Sequence, residues 1–150
     1  REFHLLRSLR TLGLPVPAPY AACYRQRGAR YKAAILVARI VAARSFAAQV
    51  SSTPSQASWA AVGSAIGRFH RLGAHHADLN SHNVLLDGSG AVWLIDWDKG
   101  RQENSAGPWC VRVLARLQRS LRKQCPRLSG GELDQGMRLL RAAHDRALAA

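Results

Sequence analysis

The stretch His76-Ala77-Asp78-Leu79-Asn80-Ser81-His82-Asn83 decides how this sequence is interpreted. A second acidic stretch, Asp96-Trp97-Asp98, follows it after a predicted β-hairpin. Phosphoryl transfer requires a carboxylate that accepts or orients a hydroxyl proton, and an amide oxygen and a second carboxylate that hold magnesium against phosphates. The two stretches therefore predict a general base at Asp78 and metal ligands at Asn83 and Asp96.

The acidic residues of the chain are few and are concentrated around these two stretches. Residues 3–77 contain no Asp or Glu, although the chain has nine acids in total. Four of the nine then fall within 21 residues, at Asp78, Asp87, Asp96 and Asp98. Asp87 precedes a glycine and is interpreted as a turn residue. The other three indicate a local need for negative charge, as in metal binding or general-base chemistry.

The overall charge points to an anionic partner. The 150 residues are 47% hydrophobic and 21% charged, which is a globular composition and excludes a disordered tail. The net charge is +13, and 19 of the 22 basic residues are Arg. Nucleic acid, an acidic membrane surface or a phosphorylated ligand could each bind such a chain. No zinc-finger spacing or aromatic-rich RNA-binding motif accompanies the charge, so we expect no nucleic-acid partner. The alternative from another class of protein is a non-catalytic basic module that binds nucleic acid or a membrane.

The hydrophobic periodicity and the turn residues predict a mixed arrangement of helices and short strands, an α+β pattern. Glycine and proline separate the elements, and Ser129 with Glu132 forms the signature of a helix-capping box. The predicted helices cover residues 2–12, 45–50, from Thr53-Pro54 to near 73, 109–124 and from 129 onward, and the predicted hairpins pair residues 20–25 with 32–39 and 84–86 with 91–95.

The helix over residues 109–124 has an apolar side and a basic side. The apolar residues are Trp109, Val113, Leu117 and Leu121, and the basic residues are Arg112, Arg116, Arg119, Arg122 and Lys123. The basic side has two interpretations of equal weight. It is either a stripe that faces a membrane or a lipid phosphate, or the solvated face of an ordinary core helix.

Several further residues have structural interpretations. We expect His70 to be a core histidine that has a hydrogen-bond partner, and His76 to brace the loop that carries Asp78. Trp97 is expected to pack against the preceding helix. The three cysteines, Cys23, Cys110 and Cys125, have no metal-ligand spacing and are interpreted as buried or inert thiols.

The motif H-x-D-L-x-x-x-N at residues 76–83, followed by I-D-x-D at residues 95–98, resembles the catalytic and metal-binding loops of the protein-kinase-like fold. Three further stretches resemble the 3-deoxy-D-manno-octulosonic acid (Kdo) kinases of the lipopolysaccharide kinase family. They are Glu2-Phe3 with residues 12–17, residues 94–101, and residues 107–109 with 117–121. The similarity extends from residue 2 to about residue 123 and so covers most of the chain.

The resemblance implies an α+β protein-kinase-like fold that is truncated at its N-terminus. Residues 1–40 would be the remainder of the small lobe, and residues 41–150 the helical catalytic lobe. The Gly-rich loop of the kinase pattern and the lysine that binds the nucleotide phosphates are missing from the sequence. The only methionine is Met137, so we expect Arg1 not to be the initiator, the chain to be part of a longer protein, and this part alone to be inactive.

The resemblance also implies ATP and Mg²⁺ as cofactors. Adenine would lie beside residues 37–40, including Val37 and Arg39, and Glu2 would pair with the missing lysine. Asp98 would add a further metal contact. Asn80 stands where protein kinases often have a lysine that contacts a phosphate. Which residue takes the role of that lysine here stays open, with His82 as one candidate.

The reaction implied by the resemblance is transfer of the ATP γ-phosphate to a Kdo hydroxyl on a lipid A precursor (Kdo-lipid IV-A). It belongs to lipopolysaccharide core assembly, at the cytoplasmic face of a bacterial inner membrane. The Arg-rich surface would suit an anionic glycolipid and peripheral contact with that membrane. The alternative within the enzyme class is a small-molecule phosphotransferase of the aminoglycoside type.

Overall fold

The computed structural model describes residues 1–28, 30–52 and 56–150. Helices and short strands alternate along the chain, which confirms the mixed α+β prediction. The elements are α1 (Glu2–Thr11), β1 (Pro19–Arg27), β2 (Arg30–Val37), β3 (Arg44–Ser45), α2 (Phe46–Ser52), α3 (Gln56–Arg71), β4 (Ala74–His75), β5 (Val84–Leu86), β6 (Val92–Leu94), β7 (Arg101–Gln102), α4 (Trp109–Gln124) and α5 (Gly130–Ala149). The predicted helix start at Thr53-Pro54 lies outside the described residues.

The strands form three small antiparallel sheets within the described part of the chain. β1 pairs with β2, β5 lies between β3 and β6, and β4 pairs with β7. Both predicted hairpins are confirmed, although β2 ends at Val37, two residues earlier than predicted. Asp87 is a turn residue as expected, because its carboxylate accepts hydrogen bonds from the backbone N–H groups of Ser89 and Ala91.

Helices α3 and α5 pack directly against each other and form the centre of the core. The two helices approach so closely that a Cβ atom added at Gly63 would overlap the Leu140 carbonyl oxygen. A Cβ atom at Gly136 would likewise overlap the indole ring of Trp59. The apolar side of α4 completes the core, because Trp109, Val113, Leu117 and Leu121 are all buried as predicted.

His70 is a core histidine, as the sequence predicts. It is 2% exposed, and its Nδ1 lies 2.8 Å from Nε2 of His144. Nδ1 of His144 lies 2.8 Å from the Asp145 carboxylate, which can only accept a hydrogen bond, so Nδ1 is the donor there and Nε2 can accept from His70. Burial lowers the pKa of His70 to about 3, and the neighbouring His144 and His75 act in the same direction.

Cys110 and Cys125 are buried, in agreement with the cysteine prediction, whereas Cys23 is exposed, so for that residue only the interpretation as an inert thiol stays a prediction. Cys23 lies on β1, and within the described residues that strand pairs only with β2. A two-stranded sheet leaves much of its surface open to solvent, which explains the exposure. No helix among the described residues is long and apolar enough to cross a membrane.

The last helix begins at the predicted capping box. The Ser129 hydroxyl accepts a hydrogen bond from the Glu132 N–H at 3.2 Å, and the Glu132 carboxylate accepts one from the Ser129 N–H at 2.9 Å. Leu133, Met137 and Leu140 are buried on this helix as expected. The capping box therefore fixes the start of the helix that packs against α3.

Candidate active site

The loop over residues 76–83 is anchored on two sides through Ser81. Ser81 is fully buried, and its backbone N–H donates to the Ser120 hydroxyl on α4 at 3.0 Å. The two serine hydroxyls also lie 2.9 Å apart. On the other side, the Ser81 carbonyl accepts a hydrogen bond from the Ala47 N–H of α2 at 3.1 Å. The loop is therefore fixed between α2 and α4.

Asn80 shapes the turn that presents Asn83. Its side-chain oxygen accepts hydrogen bonds from the backbone N–H groups of His82 at 2.9 Å and Asn83 at 3.2 Å. Such an Asx-type arrangement replaces backbone hydrogen bonds in a tight turn. Asn80 is thus a loop-bracing residue, and the position that resembles a phosphate-contacting lysine has a structural use here.

Three predicted site residues come together where this loop meets the end of β6. The Asn83 side-chain nitrogen lies 3.2 Å from the Asp78 carbonyl oxygen and 3.4 Å from a carboxylate oxygen of Asp96. The Ile95 N–H donates to the Asn83 carbonyl at 3.0 Å and holds the two stretches side by side. Asp96 has a φ of 65°, a left-handed conformation that is uncommon outside glycine and is enriched at functional sites.

His76 links the loop to the same strand end. Its Nε2 donates to the Ile95 carbonyl at 2.8 Å, and its ring lies 4.6 Å from the Trp97 indole ring. Burial lowers the pKa of His76, so the ring is neutral at pH 7. Trp97 is fully buried and stacks on Phe69 of α3 at 5.5 Å, which confirms its predicted packing.

The Asp78 carboxylate is paired with two cationic side chains that the sequence did not assign to the site. Arg116 on α4 pairs with one carboxylate oxygen, and the Lys99 ammonium lies 3.5 Å from the other. Burial alone would raise the pKa of Asp78, but the charges and hydrogen bonds of Arg116 and Lys99 outweigh it and hold the pKa below its usual range. The Asp78 carboxylate is therefore ionised at neutral pH.

The sequence contained a weak signal for both cations. Lys99 is one of three lysines among 22 basic residues, and it directly follows Asp98. Arg116 belongs to the basic side of the predicted helix. Only the anchoring of the loop on Ser120, one turn further along α4, brings Arg116 to Asp78.

An apolar cleft of about 320 Å³ reaches the site at Asp96. It brings together Glu2, Val37, Arg39 and Asp96 from distant parts of the sequence. The Glu2 carboxylate accepts a hydrogen bond from the Trp97 N–H at 3.2 Å. Burial raises the pKa of Glu2, and the nearby Asp96 and Asp98 carboxylates add to this effect. The full lining of the apolar cleft is Glu2, Leu6, Pro17, Ile35, Val37, Ala38, Arg39, Ile40, Leu85, Ile95 and Asp96.

Asp98 is the predicted site residue that the structure leaves outside this cluster. Its side chain is exposed, and it has no hydrogen bond or ion pair within residues 1–28, 30–52 and 56–150. It lies near enough to Glu2 for its charge to act on that carboxyl group. Its assignment as a metal ligand stays a prediction.

A basic cleft of about 460 Å³ lies beside the loop. It is formed between the loop and α4, and it is lined by Asn80, His82, Asn83, Arg116, Arg119, Ser120, Lys123 and Gln124. Part of the basic side of α4 thus faces a cleft beside Asp78. Arg112 and Arg122 do not line this cleft, and both are exposed.

Comparisons with known proteins agree with this arrangement. The family model described as the lipopolysaccharide kinase (Kdo/WaaP) family matches residues 1–135. The chain therefore belongs to this family. Three relatives are each named 3-deoxy-D-manno-octulosonic acid kinase, from Xylella fastidiosa strain M12 at 45% identity, Stenotrophomonas maltophilia strain K279a at 47%, and Xanthomonas oryzae pv. oryzae strain PXO99A at 44%. Each match covers 97% of this chain, and the chain spans 59% of the length of each relative.

Proposed function

We propose that the protein containing this chain is an ATP-dependent kinase that phosphorylates a hydroxyl of the Kdo sugar on a lipid A precursor. The family and the names of the relatives support this substrate. The observation that carries the proposal is the convergence of Asp78, Asn83 and Asp96, with the Asn83 side chain 3.4 Å from the Asp96 carboxylate. This is the group of ligands and base that phosphoryl transfer requires.

Asp78 is the general base of the proposed reaction. Its carboxylate orients the acceptor hydroxyl and accepts the proton as the new bond between the hydroxyl oxygen and the γ-phosphorus forms. The bond between that phosphorus and the β–γ bridging oxygen breaks, and ADP leaves with the bond electrons. The ionised state that Arg116 and Lys99 maintain suits Asp78 for this role.

Asn83 and Asp96 are the proposed ligands of Mg²⁺. The Asn83 nitrogen faces both the Asp78 carbonyl and the Asp96 carboxylate, so the amide oxygen is the atom of this side chain that would bind a cation. Oxygen atoms of this kind are the ligands that Mg²⁺ prefers, so the residues fit the ion. Bound Mg²⁺ would neutralise phosphate charge, and Asp98 is a candidate for a further contact.

The apolar cleft is the proposed nucleotide site. Adenine would pack against Val37 and the neighbouring aliphatic side chains, with Arg39 at the edge, while the phosphates reach Asp96. Glu2 would position a lysine that contacts the nucleotide phosphates. In this proposal the fold is kinase-like, with residues 1–40 in the small lobe and residues 41–150 in the catalytic lobe.

The acceptor implies where the protein works. A Kdo-bearing lipid A precursor is an anionic glycolipid, and an Arg-rich protein with a net charge of +13 is suited to peripheral contact with an anionic membrane. We therefore place the reaction at the cytoplasmic face of the bacterial inner membrane.

The test of this proposal is label transfer from γ-labelled ATP by the complete gene product that carries this chain. The acceptors are a Kdo-bearing lipid A precursor, the same lipid without Kdo, and an aminoglycoside. We expect label only on the Kdo-bearing lipid, and no label once Mg²⁺ is chelated. Label on the aminoglycoside alone would move the protein to the small-molecule class. Absence of label on every acceptor would contradict the kinase proposal.

A further inference from the structure

We propose that Arg116 binds the carboxylate of the acceptor sugar and thereby positions the reacting hydroxyl at Asp78. This inference rests on the proposed function and extends it to the residue that recognises the acceptor. The name shared by the relatives describes the sugar as an octulosonic acid, so the acceptor carries a carboxyl group. A sugar carboxylate is ionised at neutral pH and requires a cationic partner when it enters a cleft.

Arg116 has N–H donors, beyond the one that contacts Asp78, that can bind such a partner. Its guanidinium contacts one oxygen of Asp78 through Nη2, and among the described residues no other acceptor is bound to it. A guanidinium carries five N–H donors in one plane, so it can hold Asp78 and a second carboxylate on different edges. The side chain is 47% exposed at the mouth of the basic cleft, where a ligand can reach it.

Lys99 keeps Asp78 paired with a cation while Arg116 binds the acceptor. The Lys99 ammonium lies 3.5 Å from the second oxygen of Asp78. Asp78 therefore keeps one cationic neighbour when part of the Arg116 charge turns to the acceptor carboxylate. The paired arrangement thus keeps the base ionised while the acceptor binds.

The position of Arg116 favours the sugar carboxylate over a more distant phosphate of the lipid. Because Arg116 touches Asp78 itself, an anion on another edge of its guanidinium lies within about 8 Å of the base, the width of a guanidinium plus two hydrogen bonds of about 2.9 Å. The reacting hydroxyl must also contact Asp78. A carboxylate and a hydroxyl at such a separation fit on one sugar, whereas a phosphate further along the lipid does not.

The rest of the basic cleft leads away from Asp78. Arg119 and Lys123 follow Arg116 by three and seven residues on α4, and so extend up to about 10 Å further along the helix axis. The cleft volume of about 460 Å³ lies within the range of small-ligand sites. The cleft can therefore receive the sugar at Arg116 and direct the remainder of the acceptor toward Arg119 and Lys123.

The experiment compares two acceptors with three variants of the complete gene product. The acceptors are the Kdo-bearing lipid A precursor and the methyl ester of its Kdo carboxylate. The variants are Arg116→Gln, Arg116→Lys and the matched control Arg122→Gln, an exposed arginine of the same helix outside the cleft. The readout is the ratio of kcat/KM for acid over ester in label transfer from ATP. This ratio cancels any general effect of a variant on folding or on Asp78.

We expect the unmodified protein and Arg122→Gln to prefer the acid by about 10- to 100-fold, the range expected for charge-assisted hydrogen bonds. In Arg116→Gln the ratio should fall to near one, and Arg116→Lys should restore part of it. A preference for the acid that survives in Arg116→Gln would overturn the inference.

Two further outcomes identify the source of a failure. An unmodified protein that uses acid and ester equally but loses activity on a dephosphorylated lipid would show that a lipid phosphate, and not the sugar carboxylate, is the recognised anion. An unmodified protein that labels none of these acceptors would overturn the proposed function, and this inference with it.

Discussion

The apolar cleft and the basic cleft differ in chemistry, although they approach each other where Asp96 of the first contacts Asn83 of the second. The apolar cleft is lined mainly by aliphatic side chains, together with Arg39 and the acids Glu2 and Asp96. The basic cleft is lined by three amides, one hydroxyl, the imidazole of His82 and the cations Arg116, Arg119 and Lys123. An apolar wall with acids at one end suits a flat base and a metal–phosphate group, whereas the cationic wall suits an anionic acceptor.

In the proposed reaction, each of the two clefts therefore binds a different substrate. The loop turns Asp78 toward Arg116 of α4 and toward Lys99, and Asn83, which lines the basic cleft, lies beside Asp96, which lines the apolar cleft. The reacting groups therefore lie at the boundary between the clefts. Substitutions on either side should affect one substrate, and substitutions at the boundary should affect the chemical step.

The largest effect is expected at the boundary. Asp78→Asn removes the base while retaining the shape of the side chain, so kcat should fall by about 10²- to 10⁴-fold with smaller changes in the KM values for ATP and acceptor. Steady-state label transfer measures all three constants. Asp134→Asn, on the exposed part of α5, is the matched control and should retain normal activity. A kcat within threefold of normal in Asp78→Asn would show that another group is the base.

A substitution in the α3–α5 core should lower the stability of the protein without changing how either substrate binds. Gly63→Ala places a methyl group against the Leu140 carbonyl of α5, so it should lower the free energy of unfolding by about 1–3 kcal/mol. Urea unfolding of the complete gene product measures this loss, with the exposed neighbour Ser64→Ala as the control. Both KM values should stay near normal at 10–15 °C below the melting temperature. Unchanged stability would contradict the tight α3–α5 contact.

The buried His70 should make the stability of the same core depend on pH. Its pKa is about 3 in the folded state and near 6.5 when unfolded, so the unfolded state binds more protons between these values. The stabilisation is complete above pH 6.5 and is lost progressively as the pH falls toward 3. Between pH 7 and pH 5 the loss is about 2 kcal/mol.

Urea unfolding of the unmodified protein and of His70→Gln, at several pH values, measures this contribution. The variant should be less stable at pH 7 but should lose less stability on acidification than the unmodified protein. Equal losses in the two proteins would show that His70 is not the group that titrates.

The smallest effect is expected for the apolar cleft alone. Val37→Asp introduces a carboxylate into the aliphatic wall and should raise the KM for ATP by about tenfold, while the KM for the acceptor changes little. Val41→Asp, at a residue that is 77% exposed just beyond this segment, is the matched control. A larger effect on the acceptor than on ATP would reverse the assignment of the two clefts.

Local patterns were sufficient to predict much of the fold. The turn chemistry at Asp87, the capping box at Ser129 and the apolar side of residues 109–124 each depend on neighbours within a few residues of one another. Those predictions are confirmed. The sequence did not decide whether Cys23 is buried or exposed, because that depends on what covers β1, and a local pattern does not contain that information.

The candidate site could be predicted only in part, for the same reason. The spacing between Asp78 and Asn83 is local, so the sequence identified them as a pair. Arg116 is 38 positions from Asp78, and the contact between them depends on the Ser81–Ser120 hydrogen bonds between the loop and α4. Lys99 likewise reaches Asp78 only through the tertiary fold.

The most direct test of the two-cleft account is a crystal structure of the complete gene product with Mg²⁺ and a non-hydrolysable ATP analogue. The account predicts adenine against Val37 and a Mg²⁺ ion about 2.0–2.1 Å from the Asn83 amide oxygen and an Asp96 carboxylate oxygen. The γ-phosphate would point toward Asp78, and the basic cleft would stay open for the acceptor. Nucleotide phosphates bound by Arg119 and Lys123 in the basic cleft would contradict it.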